Sequence, residues 1–117
     1  MTTEKSQAPK LPHHTLIAYQ LCLELVRLIA RVRIGDAQLR QQARKSAASA
    51  ALNAAEGAAR ESAGDKRRCY GIASGEACEA SAAVEIAGAL GACSAADVQA
   101  VLALVVRIRR VFFPLVR

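Results

Sequence analysis

The stretch that most limits the fold of this chain is residues 46–60, which read SAASAALNAAEGAAR. Alanine has the highest helix propensity of all residues, so the stretch predicts a helix. Its polar residues recur every three or four positions and therefore share one helical face. They are Ser46, Ser49, Asn53, Glu56 and Arg60. The opposite stripe carries nothing larger than a methyl group after its first member. It consists of Leu39, Ala43, Ala47, Ala50, Ala54 and Gly57. Such a helix cannot fill a core with its own side chains, so neighbouring helices must come close and supply the large core side chains. A tight helix crossing or an imposed bend is expected at Gly57.

The amino-acid composition favours packed helices over sheets. Of the 117 residues 53% are hydrophobic, but only 3% are aromatic, and most of the apolar residues are alanine, leucine and valine. Two of the three prolines fall within the first twelve residues and the third is Pro114, which leaves the long middle of the chain free of helix breakers. A chain of this length forms one domain. We therefore expect an all-α fold.

Capping signals divide the chain into four helices. Residues 1–12 are predicted to be a disordered tail and residues 13–117 a four-helix bundle domain. Helix one is predicted over residues 15–33, and helix two from an N-cap at Asp36 to residue 60 or 61. Helix three is predicted from an N-cap at Ser62 or Asp65 to Leu90, with a C-cap at Gly91. Helix four is predicted from an N-cap at Ser94 over residues 95–113, with Pro114 at its end. Short connections between successive helices predict an antiparallel up-down-up-down bundle.

Helices one and four are apolar around more of their circumference than a bundle helix needs, which is a face of about 100°. In helix one a narrow polar stripe interrupts the apolar surface, and helix four contains AVLALVV at residues 100–106. The stripe consists of Gln20, Glu24, Arg27 and Arg31. Either another subunit or a lipid surface must cover the surplus. The charges make helix one a poor membrane span, so association into a homo-oligomer is the favoured prediction.

Three runs carry a resemblance to a known family. They are LIAYQLCLELV at residues 16–26, LNAAEGAAR at residues 52–60 and YGIASGEACE at residues 70–79. The chain resembles, over roughly residues 13–113, the small four-helix bundle proteins encoded within intervening sequences of bacterial 23S ribosomal RNA genes. Relatives of that family include the accessory variability determinants of diversity-generating retroelements.

The resemblance implies more than the residues alone do. It implies a ring-like homopentamer and, through the retroelement relatives, a reverse transcriptase as a further partner. The structural residues of the family motif fall at Asn53, Glu56, Gly57, Arg60, Gly75 and Glu79. Glu76 departs from the family pattern, which usually has serine there, so a role carried by that serine does not transfer.

The charge of the chain favours a polyanionic partner. The net charge is +6, and the isoelectric point is about 9.6. An up-down-up-down bundle would place the turn between helices two and three beside the end of helix four. The candidate nucleic-acid-binding residues gathered there are Arg60, Lys66, Arg67, Arg68, Arg107, Arg109 and Arg110. A ring would repeat this cationic end around its axis and present it to phosphate backbones. The alternative is that these cations cap helix C-termini or pair with acids.

Catalytic and metal sites are not expected. No histidine follows residue 14, and the adjacent His13 and His14 point about 100° apart on a helix, so they cannot chelate one metal ion. Neither a Ser-His-Asp set nor a phosphate loop can be assembled. We therefore predict no enzymatic activity and no cofactor.

Two further predictions concern single residue types. Glu79 is expected within reach of Arg44 or Lys45, as part of a salt-bridge network between helices or subunits. The four cysteines lack Cys-x-x-Cys spacing and read as free buried thiols of a reducing cytoplasm, and the N-terminus has no apolar secretory signal.

The leading hypothesis is a cytoplasmic, homo-oligomeric four-helix bundle that binds structured RNA or DNA through a basic surface. The binding is expected at the level of the backbone, without base-specific readout, because few aromatic side chains exist for stacking. The rival hypothesis is a protein–protein assembly module with no nucleic-acid role. A role at a membrane surface is a third reading.

Overall fold

The computed structural model describes residues 10–117 and folds them into four helices. A short 3₁₀ turn, Pro12–Thr15, precedes α1 (Ile17–Arg31), α2 (Ala37–Ala59), α3 (Ala63–Ala89) and α4 (Ala95–Val116). Over residues 10–117 the chain contains no strand. The prediction of an all-α, four-helix fold is therefore confirmed. The first nine residues of the predicted tail lie outside the described residues.

Side-chain caps begin three of the helices. Asp36 Oδ1 accepts a hydrogen bond from the Leu39 amide at 2.9 Å, and this bond satisfies one of the unpaired amides of the first turn of α2. Ser62 Oγ accepts from the Asp65 amide at 3.1 Å, so the cap of α3 is Ser62 and Asp65 lies in the first turn. Ser94 Oγ accepts from the third residue after it at 3.1 Å. The predictions at Asp36 and Ser94 are confirmed, and the open choice for α3 is settled at Ser62.

The end of α3 is a left-handed glycine turn. Gly91 has a φ of 76°, and the C-cap residue is Leu90, one position before the predicted cap at Gly91. The Ala92 amide donates to the Ala87 carbonyl at 2.8 Å and the Gly91 amide donates to the Gly88 carbonyl at 3.0 Å. These two bonds form a Schellman motif, which pairs carbonyls that the last helical turn leaves free.

Both ends of α1 and the C-terminal end of α4 differ from the bounds predicted from local signals. After Arg31 the backbone becomes extended, because Val32 and Ile34 turn their side chains into the core, where both are buried. Residues 15 and 16 belong to the turn before α1, in which His14 Nδ1 accepts from the Leu11 amide at 2.9 Å. At the other end α4 continues through Pro114 to Val116. A proline so near the end removes only one helical hydrogen bond, and Leu115 and Val116 pack against the core.

The core combines two alanine-lined helices with two bulky ones. Each helix packs against its chain neighbours, α1 also contacts α4, and the contact between α2 and α3 is the most extensive. The buried small residues of α2 and α3 are Ala43, Ala47, Ala50, Ala54, Ala73, Ala77, Ala80, Ala83 and Ala87. Large fully buried side chains come chiefly from α1 and α4, namely Leu25, Ile29, Ile108 and Phe112. The prediction that neighbours supply the bulk is confirmed.

α2 and α3 approach each other closely at Gly57. A Cβ atom built on Gly57 would lie 2.7 Å from Cε1 of Tyr70 and 3.0 Å from Cβ of Cys69, which is closer than carbon atoms pack. The Tyr70 ring lies in turn 5.8 Å from the Phe112 ring of α4, centroid to centroid. The tight crossing predicted at Gly57 is confirmed.

The exposed apolar surface lies only partly where the sequence placed it. In α1 the large apolar side chains are buried or half-buried apart from Ile17, because α2, α4 and the 3₁₀ turn pack against the helix. In residues 100–106 three side chains are buried: Val101, Leu104 and Val105. The larger exposed group lies on α2 and on α3 and its C-cap: Leu52, Ile72, Ile86 and Leu90. The premise that helix one needs a partner to cover it is therefore wrong. None of the four helices is both long and apolar enough to cross a bilayer.

Candidate nucleic-acid interface

Two pairs of basic residues lie on segments of α3 and α4 that contact each other. Arg67 and Arg68 are in the second turn of α3, and Arg109 and Arg110 are near the end of α4. The contact between the Tyr70 and Phe112 rings joins these two segments, since Tyr70 follows the first pair by two residues and Phe112 follows the second pair by two. All four arginines are exposed. Four of the seven predicted nucleic-acid-binding residues thus lie on two helix segments that contact each other through Tyr70 and Phe112.

Two of the seven have partners within the chain. Lys66 Nζ donates to the carbonyl of Ala58 at 3.0 Å and to that of Gly57 at 3.2 Å, so this lysine caps the C-terminus of α2. Arg60 pairs with Glu56 one turn earlier on α2. The hydrogen bond from Arg60 holds the pKa of the Glu56 carboxyl below its usual range, and the nearby charge of Arg68 lowers it further. For Lys66 and Arg60 the alternative role, capping or pairing, therefore holds.

The outer side of α4 combines positive charge with exposed apolar groups. Val106, Arg109, Arg110 and Phe113 line an open cleft of about 300 Å³. Val106 is 48% exposed and Phe113 is 57% exposed. The Arg117 guanidinium lies 4.9 Å from the centre of the Phe113 ring, within the range of a cation–π contact. One aromatic ring is thus available at this basic surface.

A second basic cleft lies between α1 and α4. It holds about 330 Å³ and is lined by Glu24, Arg27, Leu28, Arg31, Ala100, Ala103, Leu104 and Arg107. Arg107, the remaining predicted residue, lies here with two arginines that were not predicted. The spacing of the stripe on helix one was the available signal, since Glu24, Arg27 and Arg31 lie within two helical turns. The spacing of these residues does not predict that the stripe lies next to α4.

The residues of the family motif lie on α2 and α3. Asn53 Nδ2 donates to the Ser49 carbonyl at 2.9 Å, which holds the amide along α2. Glu79 is exposed, and its Oε2 accepts from Gln42 Nε2 at 2.6 Å. Gln42, which precedes the predicted partners Arg44 and Lys45 by two and three residues, is the residue of α2 that bonds to Glu79. Among residues 10–117 Glu79 forms no ion pair, so the predicted pair between helices of one chain is wrong, and a pair between subunits stays a prediction.

The remaining positions near the motif are less constrained. Nothing lies within 4 Å of a Cβ built on Gly75, so this glycine is not required for packing within the chain. Glu76 is half-buried.

The cysteines and acids form no further site among residues 10–117. No group of three or more His, Cys, Asp or Glu side chains is close enough there to hold a metal ion. The four cysteines are free thiols, two of them buried and two half-buried. Burial raises the pKa of the Cys22 thiol to about 12, so this thiol stays protonated at neutral pH. Burial also raises the pKa of the Tyr70 hydroxyl.

The comparison with protein families matches residues 14–113 to the model of the 23S rRNA-intervening sequence protein. The chain belongs to this family. The match covers all four helices but stops short of the last residues of α4. The comparison with curated proteins returned no match. The family resemblance is confirmed, whereas the relation to the retroelement accessory proteins stays a prediction.

Proposed function

We propose that this family member is a non-enzymatic, homo-oligomeric four-helix bundle that binds structured RNA or DNA through a basic surface. The observation that carries the proposal is the group of exposed arginines on α3 and α4: Arg67, Arg68, Arg109 and Arg110. Their guanidinium groups make no hydrogen bond or ion pair to other residues of the described part of the chain. Long cationic side chains on adjoining helix segments, without partners among residues 10–117, suit a chain of phosphates.

Contacts between helices support the antiparallel up-down-up-down arrangement. Gly57, near the end of α2, contacts Tyr70, near the start of α3. Gln42, near the start of α2, bonds to Glu79 further along α3. Two contacts in this order fit helices that run in opposite directions. In such a bundle the start of α3 and the end of α4 lie at one end, which is where the four arginines belong in the proposal.

Association of copies is the second part of the proposal. The exposed side chains of Ile86 and Leu90 lie with Leu39 and Lys45 along an open groove of about 640 Å³ between α2 and α3. Leu90 is 66% exposed. Apolar groups of this size at one groove favour a covered surface in the assembled protein. A ring-like homopentamer, a reverse transcriptase partner and a cytoplasmic location complete the proposal, and they rest on the resemblance and the free thiols alone.

The proposal is tested by measuring the affinity for an RNA hairpin and for duplex DNA at several salt concentrations. The test variant replaces Arg67, Arg68, Arg109 and Arg110 with Gln. If each arginine meets one phosphate, the slope of log K against log salt should become less negative by about 3. The affinity should fall by at least tenfold at low salt.

A matched control removes the same charge elsewhere. Lys10, Arg33, Arg44 and Lys45 are exposed and lie outside both α4 clefts, and changing them to Gln should leave most of the slope intact. Equal losses in the two variants would mean that net charge alone matters. No binding by the unaltered protein at low salt would refute the nucleic-acid role.

The rival function, a protein–protein assembly module, is favoured by the apolar groove at Ile86 and Leu90. It predicts that Leu90→Glu disrupts association of the purified protein. It also predicts that neither the unaltered protein nor the variant binds nucleic acid. Sedimentation of the unaltered protein and of the Leu90→Glu variant, together with the binding series, distinguishes the two functions.

A further inference from the structure

The cleft between α1 and α4 has a built pattern of charge. Each helix contributes four residues with the same spacing, at positions i, i+3, i+4 and i+7. They are Glu24, Arg27, Leu28 and Arg31 on α1, and Ala100, Ala103, Leu104 and Arg107 on α4. This spacing covers one face over two helical turns, so the cleft is about 10 Å long.

Small side chains on α4 open the cleft. Ala100 and Ala103 are exposed and project no more than a methyl group each, while Leu104 is buried and Leu28 is half-buried. The walls are therefore apolar, and the polar groups are the long side chains above them.

The charged groups of the cleft favour an anion. Arg27, Arg31 and Arg107 are all exposed, and none donates to another residue of the described chain. Glu24 is the one acid among the lining residues and forms no ion pair within 4.0 Å there. Three guanidinium groups against one carboxylate leave the cleft positive.

We propose that the α1–α4 cleft is a phosphate-binding site, with Arg27, Arg31 and Arg107 as its ligands. Guanidinium groups present paired N–H donors whose geometry matches phosphate oxygens. In the context of the proposed function, on which this reading rests, the phosphate belongs to the backbone of bound RNA or DNA. A free phosphorylated compound presents the same chemistry, and a volume of 330 Å³ is at the lower end of the range for small-ligand sites.

Glu24 limits the affinity of this site. Its carboxylate repels a phosphate in the same cleft, so Glu24→Gln should raise the affinity roughly two- to fivefold. A cleft that served only packing would not gain affinity for phosphate when one exposed carboxylate is neutralised.

The experiment uses the full chain and two probes, an RNA hairpin and inorganic pyrophosphate, with binding measured by calorimetry at several salt concentrations. The test variant is Arg27→Gln with Arg31→Gln, and the control is Arg33→Gln with Arg44→Gln, which removes the same charge at exposed positions outside the cleft. Circular dichroism checks that both variants keep their helices.

The site is supported if the cleft variant loses at least tenfold in affinity for either probe, the control loses less than threefold, and Glu24→Gln gains affinity for that probe. Loss with RNA alone assigns the site to a polynucleotide backbone, and loss with pyrophosphate assigns it to free phosphorylated compounds as well. If RNA binds all variants equally and no variant changes the affinity for pyrophosphate, the cleft inference is wrong while the nucleic-acid role stands. If the unaltered protein does not bind RNA but still binds pyrophosphate through the cleft, the nucleic-acid role fails and the phosphate site stands. Absence of binding to both probes refutes both.

Discussion

Gly57→Ala sets two effects of opposite sign against each other, and the structure decides which is larger. Within a helix, alanine is favoured over glycine by about 1 kcal/mol, so propensity alone predicts a more stable protein. The added methyl group, however, would lie 2.7 Å from Cε1 and 2.8 Å from Cδ1 of the Tyr70 ring, and 3.0 Å from Cβ of Cys69. Each of these distances is roughly 1 Å shorter than a relaxed contact between carbon atoms.

The neighbours of Gly57 have little room to move. Tyr70 is 6% exposed and its ring packs near Phe112, which is fully buried. Cys69 is also fully buried, and its Cβ cannot move without the backbone of α3. Overpacking in a confined core costs about 1–3 kcal/mol, and this site belongs at the upper end. After the gain in propensity, the net destabilisation should be about 2 kcal/mol, which lowers the melting temperature by about 8 °C in a domain of this size.

Thermal and urea unfolding followed by circular dichroism measure the effect. Gly75→Ala is the matched control, since nothing lies within 4 Å of its added Cβ, and it should raise stability by up to about 1 kcal/mol. In a Tyr70→Ala background the cost of Gly57→Ala should shrink by more than about 1 kcal/mol, because the ring is gone. A melting temperature for Gly57→Ala at or above that of the unaltered protein would refute the steric argument.

Two further predictions concern a helix end and an ion pair. Gly91→Ala should destabilise the protein by about 1–2 kcal/mol because Gly91 has a φ of 76°. Gly91→Asn should destabilise it less, since asparagine tolerates this conformation. Equal destabilisation by the two variants in thermal unfolding would contradict the role of the left-handed turn. Because the pKa of Glu56 is lowered in the folded state, the unfolded chain binds the proton more tightly. The contribution of Glu56 to stability is therefore present above its unfolded pKa and is lost as the pH falls through its folded pKa. Glu56→Gln should therefore flatten the acid side of a plot of stability against pH, and an unchanged plot would show that the pair with Arg60 adds nothing in solution.

Features set by neighbouring residues along the chain could be predicted from the sequence. The caps at Asp36 and Ser94 follow from side chains that reach an amide three residues away. The alanine stripe and Gly57 also follow, because a helix with methyl-sized groups on one side has no other way to pack. These predictions need only local geometry and the helical period.

Features set by the rotation and ends of packed helices could not be predicted. The partner of Glu79 depends on the register of α2 against α3, and Gln42, the residue that bonds to it, lies two and three residues before the expected Arg44 and Lys45. Helix α4 passes Pro114 because the residues after it pack on the core. The cleft that contains Arg27 depends on which side of α1 meets α4, and the sequence pattern carries no information on that.

The alanine-lined contact between α2 and α3 also bears on how the chain folds. Burying a methyl group releases far less apolar surface from water than burying a leucine or phenylalanine, so two alanine stripes restrict geometry strongly but contribute little free energy on their own. The hairpin of α2 and α3 should therefore have no stable existence until α1 and α4 add Leu25, Ile29, Ile108 and Phe112 to it. Because α1 and α4 lie at opposite ends of the sequence, the chain closes its longest loop before it gains most of its stability, and loss of either terminal helix unfolds the whole rather than leaving a folded half.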